Sequence, residues 1–311
     1  MNRLVAIVGP TAVGKSQLAV RLAQSFDKEI INADSRQIYR YMDIGTAKPS
    51  PKELSLIPHH LISIVDPDDD FSLAQYQQLA YEAIKDIQRR NKLALLVGGS
   101  GQYVWSVLEG WEIPNVPPDE EFRHSLEERA AGGEKDELYQ ELVGLDPKAA
   151  QRIDRHNVRR IIRALEVYKS TGTPPSRLQR KRGALFEALI IGLTMDRAKL
   201  YHKTDSRVDH MINEGLVEEV HKLLDMGYDL DLPAMSSIGY RQIGMFIKGE
   251  LTLAAAIEQI KIETHRVVRH QYAWFGLKNG RIKWFDMESD SAYWEIRASV
   301  AQFLGDKIEE E

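Results

Sequence analysis

Gly9-Pro10-Thr11-Ala12-Val13-Gly14-Lys15-Ser16 is the stretch that decides the fold of this chain. It matches the pattern G-x-x-x-x-G-K-[ST], in which a glycine-rich loop holds a polyphosphate. The residues before it, 4–8, are all apolar, which predicts a strand buried on both faces. Residues 17–23 after it carry apolar side chains at helical spacing. Strand, loop and helix in this order direct backbone N–H groups at a phosphate.

Within this phosphate loop (residues 9–16), Lys15 is predicted to contact the terminal phosphates and Ser16 to ligate Mg²⁺ through its hydroxyl. The alternative is a chance glycine-rich turn, but the flanking strand and helix favour the phosphate site. The motif does not distinguish ATP and GTP from other pyrophosphates.

The composition is that of an ordinary globular protein, with 311 residues, 43% hydrophobic and 28% charged. Neither an apolar run of roughly 20 residues nor the apolar core of a signal peptide is present, so we expect a cytoplasmic protein without a membrane segment. Zero cysteines exclude disulfides and thiolate metal sites. The nine histidines lack metal-ligand spacing and are expected to be structural or exposed.

Short apolar runs alternate with helical patterns along the first part of the chain. Strands are predicted at 29–33, 61–65 and 93–97, with a helix from Ser72 to Arg90. This alternation predicts a doubly wound parallel sheet of the α/β class, similar to P-loop NTPases, whose ligands bind beyond the strand carboxyl ends. The phosphate loop, Asp34 and the turn at 98–101 would all lie at that end.

The alternation stops at Ile113-Pro114-Asn115-Val116-Pro117-Pro118. We predict a core domain of residues 1–115 and 186–311 with an inserted helical subdomain at 116–185. The helix-rich C-terminal part is predicted to hold helices at 196–226 and 252–276 and an edge strand at 281–285. The overall charge of −5 hides eleven Lys and Arg against two acidic residues in 148–182, which fits either a polyanion site or a solvated helix face.

Two strand ends carry chemical information. Asp34 directly follows the second strand, where a carboxylate can act as a general base or hold Mg²⁺ through water. The alternative is a capping box with Gln37 at the start of a helix. The strand at 93–97 ends in Gly98 and Gly99, without the acid of motor-type NTPases, which favours a group-transfer enzyme. The glycine pair is either a tight turn or a site of close backbone approach by a ligand.

Six segments together resemble the signature of the tRNA dimethylallyltransferases (isopentenylpyrophosphate:tRNA transferases). They run in order over nearly the whole chain, and they are Asp34-Ser35-Arg36-Gln37-Ile38-Tyr39, Met42-Asp43-Ile44-Gly45-Thr46-Ala47-Lys48-Pro49, Pro58-His59-His60-Leu61, Leu96-Val97-Gly98-Gly99-Ser100-Gly101-Gln102-Tyr103, Arg163-Ala164-Leu165-Glu166-Val167 and Ile238-Gly239-Tyr240-Arg241-Gln242. Ser100 stands where the family usually has Thr, and Gln102 where Leu is common. The first departure preserves the hydroxyl.

The resemblance implies transfer of a dimethylallyl group from dimethylallyl diphosphate to N6 of the adenosine just 3′ of the anticodon, assisted by Mg²⁺. It implies that the phosphate loop binds the prenyl diphosphate; whether ATP also binds there stays open. Asp34 would accept the adenine amine proton, Ser16 would bind Mg²⁺ and diphosphate, Ser100 would lie against the flipped adenosine, and Arg207 would cover the departing diphosphate. For Arg207 the alternative is an ordinary surface charge. The implied tRNA contacts are Asp34, Ser35, Arg36, Gln37, Ser100, Arg123, Arg159, Arg160, Ile161, Ile162 and Arg163.

The residues alone agree with this chemistry, because a diphosphate leaving group needs cations and an adenine amine needs a base. The basic insertion would hold the anticodon stem-loop, and the target base would flip out of its stack. We expect a monomer. The rival enzyme is an ATP-dependent small-molecule or nucleotide kinase, which needs no basic insertion, and the rival without catalysis is an RNA-binding module with a vestigial nucleotide site.

Overall fold

The computed structural model describes residues 3–114, 116–178 and 180–305. The chain forms two units: the core unit, Met1–Leu108 with Leu185–Glu311, and the helical unit, Glu109–Ala184. The helical unit begins earlier than the insertion predicted at 116–185, because a two-residue strand before Ile113 pairs with one near the end of the unit.

The strands are β1 Arg3–Val8, β2 Lys28–Asn32, β3 His59–His60, β4 Leu93–Gly98, β5 Trp111–Glu112, β6 Arg180–Lys181, β7 Glu187–Thr194 and β8 Ile282–Asp286. The helices are α1 Lys15–Phe26, α2 Pro51–Leu56, α3 Leu73–Arg89, α4 Gly101–Leu108, α5 Glu120–Ala131, α6 Lys135–Leu145, α7 Pro147–Ala150, α8 Val158–Thr171, α9 Pro175–Leu178, α10 Arg197–Asn213, α11 Leu216–Asp225, α12 Tyr240–Ile247, α13 Leu253–Phe275 and α14 Ala292–Leu304.

Six strands of the core unit form one parallel sheet in the order β3-β2-β4-β1-β7-β8. Val5 lies opposite Leu95 on one side and Leu189 on the other. Val5 and Ile7 pack with Leu18 and Leu22 of α1 on one face of the sheet. Side chains on the opposite face, such as that of Leu96 on β4, are equally buried. Both faces are therefore covered, and the prediction of a doubly wound, P-loop NTPase-like α/β fold is confirmed.

Two predicted elements differ in the structure. Residues 61–65 are not a strand, because Leu61 and Ser63 have φ angles of 62° and 52°, which interrupt extended backbone, and β3 is only the preceding pair of histidines. The helix predicted at 196–226 is two helices, since Gly215 at φ 100° separates α10 from α11. The predicted edge strand at 281–285 is present as β8, paired in parallel with β7.

The helical unit has its own core. Leu126 of α5, Leu138 of α6 and Ile161 and Leu165 of α8 are buried together. In the described part of the chain, no helix is both long and apolar enough to cross a membrane.

Candidate functional site

The phosphate loop joins β1 to α1 through a backbone that requires glycine at two positions. Gly9 and Gly14 have φ angles of 145° and 107°, a region that L side chains rarely adopt. A Cβ atom on Gly9 would lie 2.6 Å from the carbonyl oxygen of Leu193 on β7. Gly14 is the N-cap of α1, so the helix begins at Lys15 with its free N–H groups at the loop.

Gln271 of α13 fixes this loop from outside. Its Oε1 accepts a hydrogen bond from the Thr11 N–H at 2.8 Å, and its Nε2 donates to the Gly99 carbonyl at 3.3 Å. A Cβ atom on Gly99 would lie 2.2 Å from that Nε2. One side chain thus ties the phosphate loop to the turn after β4. Gln271 cannot be recognised from the sequence, because nothing but its place in an amphipathic helix marks it.

Lys15 and Arg207 bring positive charge to the loop. The Lys15 Nζ donates to the Pro10 carbonyl at 2.7 Å, and the Arg207 Nη1 donates to the Thr11 hydroxyl at 3.2 Å. Burial lowers the pKa of Lys15 to about 8, against the opposing effect of Asp34. Burial also lowers the pKa of Arg207. Both cations are therefore incompletely compensated in the free protein, which favours an anionic ligand.

Asp34 follows β2 in a turn that positions its carboxylate. Its Oδ1 accepts from the Arg36 N–H at 2.9 Å, while the buried Asn32 side chain bonds to both the N–H and the carbonyl of Asp34. The Asn32 Nδ2 also donates to the Leu61 carbonyl at 2.9 Å. The capping-box alternative is wrong, because residues 34–37 do not begin a helix and the next helix along the chain is α2.

The turn after β4 brings Ser100 to Ser35. The Ser100 Oγ accepts from the Ser35 N–H at 2.9 Å and donates to the Ser35 Oγ at 3.2 Å. A Cβ atom on Gly98 would lie 2.1 Å from the Ala33 carbonyl oxygen. The glycine pair therefore serves close packing between two strand ends and Gln271. Gly98 also lines the cavity described below, so the close approach of a ligand stays a prediction.

A cavity of about 1070 Å³ lies among these elements of the core unit. Its walls include residues 11–16 of the phosphate loop, Asp34, Gln37 and Arg207. Ser35, Arg36 and Ser100 are not among its lining residues. Ser100 bonds to Ser35, which follows the lining residue Asp34 in the chain, and the Arg36 guanidinium donates to the Pro233 carbonyl at 3.0 Å. The cavity thus combines an anion cradle with the Asp34 carboxylate.

Apolar residues from a second segment line another part of this cavity. They are Ile44, Ala47, Pro49, Pro51, Leu54 and Ile62, joined by Met211 and Met287. Lys48 lines it too, and its Nζ donates to the Tyr39 carbonyl and to Asp43 Oδ1. A ligand with one anionic and one apolar end is the kind that such a cavity fits.

The donor set of the cavity fits Mg²⁺. Ser16 and Asp34 both line it, and the oxygen atoms of a hydroxyl and a carboxylate are the kind of ligand that Mg²⁺ prefers. Among the described residues, no cluster of three or more His, Asp or Glu side chains is placed to hold a metal alone. Mg²⁺ often keeps few protein ligands and takes the rest from phosphates and water.

The predicted tRNA contacts that lie in the helical unit have three kinds of environment in the structure. Arg123 and Arg163 both bind the carboxylate of Glu166, which is 1% exposed. Burial raises the pKa of Glu166, but hydrogen bonds from Arg123, the Asp119 N–H and Arg163 outweigh it and leave that pKa lowered. The side chains of Ile161 and Ile162 are buried in the unit's core. Arg159 and Arg160 are exposed.

Comparisons with known proteins agree with one another. The family model described as IPP transferase matches residues 37–279. The chain is 49% identical over 303 residues to the tRNA dimethylallyltransferase of Dehalococcoides mccartyi, covering 97% of this chain and 93% of the relative. It is 45% identical over 307 residues to that of Thermomicrobium roseum, covering 99% and 93%.

Solved structures give the same result. The tRNA isopentenylpyrophosphate transferase of Bacillus halodurans is 40% identical, with a TM-score of 0.74 and coverage of 98% of this chain and 97% of that one. A eukaryotic dimethylallyltransferase acting on tRNA has a TM-score of 0.80 at 27% identity, covering 99% and 81%.

Proposed function

The chain belongs to the IPP transferase family, and we propose that it transfers a dimethylallyl group from dimethylallyl diphosphate to N6 of the adenosine 3′-adjacent to the anticodon of tRNA. The observation that carries this proposal is the shared cavity, in which Lys15, Arg207 and the phosphate loop stand with Asp34 and an apolar wall. An allylic diphosphate has the matching anionic and apolar ends.

The diphosphate would bind at the phosphate loop. Backbone N–H groups at the start of α1, the Lys15 ammonium and the Arg207 guanidinium supply positive charge there. As the bond between C1 of the allyl group and the diphosphate oxygen breaks, negative charge grows on the leaving group. Groups already held in place by Pro10, Thr11 and Gln271 stabilise that charge without reorganising.

We propose that Mg²⁺ accompanies the diphosphate and is held by the Ser16 hydroxyl, and that Asp34, which lines the same cavity, would bind the ion through one of its waters. When bound, it would neutralise charge on the leaving diphosphate.

Asp34 would serve as the base. The new bond joins the adenine N6 to C1 of the allyl group, and the N6 proton passes to the Asp34 carboxylate as diphosphate leaves. Asn32 and the Arg36 N–H restrict the orientation of that carboxylate. A carboxylate held in this way contributes through general base catalysis.

The adenosine must leave the anticodon loop stack to reach such a base. Ser35, Arg36, Gln37 and Ser100 are the candidate contacts around it, and the exposed Arg159 and Arg160 are candidates for phosphate contacts with the anticodon stem-loop. We propose that the protein acts as a monomer in the cytoplasm, where tRNA is found.

The decisive experiment incubates the protein with dimethylallyl diphosphate, Mg²⁺ and unmodified tRNA and digests the product for mass spectrometry. The expected result is one added dimethylallyl group on the adenosine next to the anticodon. Transfer of label from γ-labelled ATP to a small acceptor would instead identify the rival kinase. tRNA binding without either transfer would identify an RNA-binding module.

A further inference from the structure

Glu219 of α11 accepts hydrogen bonds from three consecutive backbone N–H groups. Asp43 donates to Oε2 at 3.0 Å, Ile44 donates to Oε2 at 2.9 Å and to Oε1 at 3.2 Å, and Gly45 donates to Oε1 at 3.2 Å. These residues belong to the segment 43–47, which is outside regular helix and strand. A single carboxylate therefore supplies the partners of three consecutive amides that no helix or strand ladder satisfies.

Tyr240, the first residue of α12, completes this arrangement. Its hydroxyl donates to Glu219 Oε1 at 2.5 Å, and the residue is 0% exposed. Burial, together with the adjacent Glu219, raises the pKa of Tyr240 well above its ordinary value, so its hydroxyl stays protonated and keeps donating. A Cβ atom on Gly45 would lie 2.5 Å from the Tyr240 ring, so the segment lies directly against it.

The segment held in this way forms part of the apolar wall of the cavity. Ile44 and Ala47 line it, whereas Glu219 and Tyr240 are absent from the lining. The other end of the segment is fixed by Gln37, whose Nε2 donates to the carbonyls of Thr46 and Ala47 at 3.1 and 3.0 Å. Glu219 thus acts on the cavity through Ile44, whose N–H it holds and which lines the cavity together with the phosphate loop.

We propose that Glu219, supported by Tyr240, is a positioning residue that sets the size of the allyl-group end of the cavity and thereby limits the donor to a five-carbon chain. This rests on the proposed function. Were the three amides released, Ile44 would be free to withdraw and the cavity would lengthen. A longer allylic diphosphate would then fit, because binding at the phosphate loop is unaffected.

The test compares dimethylallyl diphosphate with geranyl diphosphate as donors for wild type, Glu219→Ala, Glu219→Gln and Tyr240→Phe. Discrimination between apolar groups by a cavity of fixed size reaches roughly 10 to 200-fold. We expect Glu219→Ala to shift the kcat/KM ratio towards geranyl diphosphate by about tenfold or more. Glu219→Gln, which keeps one acceptor oxygen, and Tyr240→Phe should shift it less. Glu218→Ala, one residue away and exposed on the same helix, should leave the ratio unchanged.

Amide hydrogen exchange at residues 43–45 gives a readout that needs no activity. We expect these amides to exchange slowly in wild type and in the control Glu218→Ala, and to lose their protection in Glu219→Ala. If protection is lost but the donor ratio is unchanged, the proposal is overturned and Glu219 is a purely structural residue. If protection at residues 43–45 is unchanged in Glu219→Ala, the proposal is overturned as well. If wild type transfers neither donor, the proposed function fails, while the exchange result still decides whether Glu219 holds the segment.

Discussion

Asn32 binds both backbone groups of Asp34. The Asn32 Oδ1 accepts from the Asp34 N–H at 3.0 Å, and its Nδ2 donates to the Asp34 carbonyl at 3.0 Å. Asn32 is only 4% exposed, so these bonds are shielded from water. The orientation of the proposed base is thus set by a neighbour that was not singled out in the sequence.

Substituting Asn32 tests that relationship. Asn32→Asp would place carboxylate oxygens against two carbonyls that now accept from Nδ2, while Asn32→Ala would leave them without a donor. We expect both variants to lower the single-turnover transfer rate by about tenfold or more, through misplacement of Asp34. The exposed Asn213→Ala is the control. A normal rate in a folded Asn32→Ala protein would contradict the role.

The base itself is tested by Asp34→Asn. The amide keeps an oxygen for the Arg36 N–H but cannot accept the adenine proton at neutral pH. We expect single-turnover transfer to fall by about 10² to 10⁴-fold, with the dissociation constant for tRNA nearly unchanged. Asp290→Asn, an exposed carboxylate far along the chain, serves as the control. An unchanged transfer rate would rule out Asp34 as the base.

Lys15 predicts a pH dependence of diphosphate binding. Burial lowers the pKa of Lys15 from 10.5 to about 8, so in the free protein the ammonium is charged below that pH and loses its proton above it. Diphosphate favours the charged form, so affinity should be full below pH 8 and decrease as the pH rises from 8 towards 10, with proton uptake on binding. Calorimetry in buffers of different ionisation enthalpy measures both the affinity for diphosphate and the number of protons taken up on binding.

Two variants distinguish Lys15 from other titrating groups. Lys15→Arg keeps its charge throughout this range, so its affinity should not decrease above pH 8. Lys15→Ala should weaken diphosphate binding while leaving tRNA binding intact. A wild-type decrease that persists in Lys15→Arg would assign the titration to another group.

Sequence patterns predicted much of the core unit because its short strands are buried on both faces and leave continuous apolar runs. Leu4 to Val8 are each 0% exposed, and the motif after them fixes the loop geometry. The patterns failed where backbone φ angles decide, as at Leu61 and Ser63, since neither residue type favours a left-handed conformation. They also could not reveal Gln271 or Glu219, because each acts on a segment far away in sequence.

The basic stretch at 148–182 also shows what the sequence can and cannot predict. Composition marks residues 148–182 as cationic, but it cannot tell a cation that neutralises Glu166 from one that faces solvent. The structure assigns Arg163 to the first kind and Arg159 and Arg160 to the second.

Substituting the two exposed arginines, Arg159 and Arg160, should therefore affect only the binding of tRNA. We expect Arg159→Ala with Arg160→Ala to raise KM for tRNA and to reduce the slope of log K against log salt by about 1 for each lost phosphate contact. KM for dimethylallyl diphosphate and the melting temperature should stay near wild type. An unchanged salt slope would exclude this pair from the tRNA contacts.

Arg163→Ala should act differently from that pair. It removes one partner of the buried Glu166 carboxylate and the donor to the Val116 carbonyl, while Arg123 still binds Glu166 through two nitrogens. We expect a loss of about 1 to 3 kcal/mol in the stability of the helical unit, because a hydrogen-bonded charge is left partly unsatisfied. The pKa of Glu166 is lowered in the folded protein, so its stabilising contribution is present above the ordinary value of 4.5 and decreases as the pH falls below it. The difference in melting temperature between wild type and Arg163→Ala should thus be larger at pH 7 than at pH 4. If the destabilisation is equal at both pH values, Arg163 acts through packing and its bond to Val116, not through the charge of Glu166.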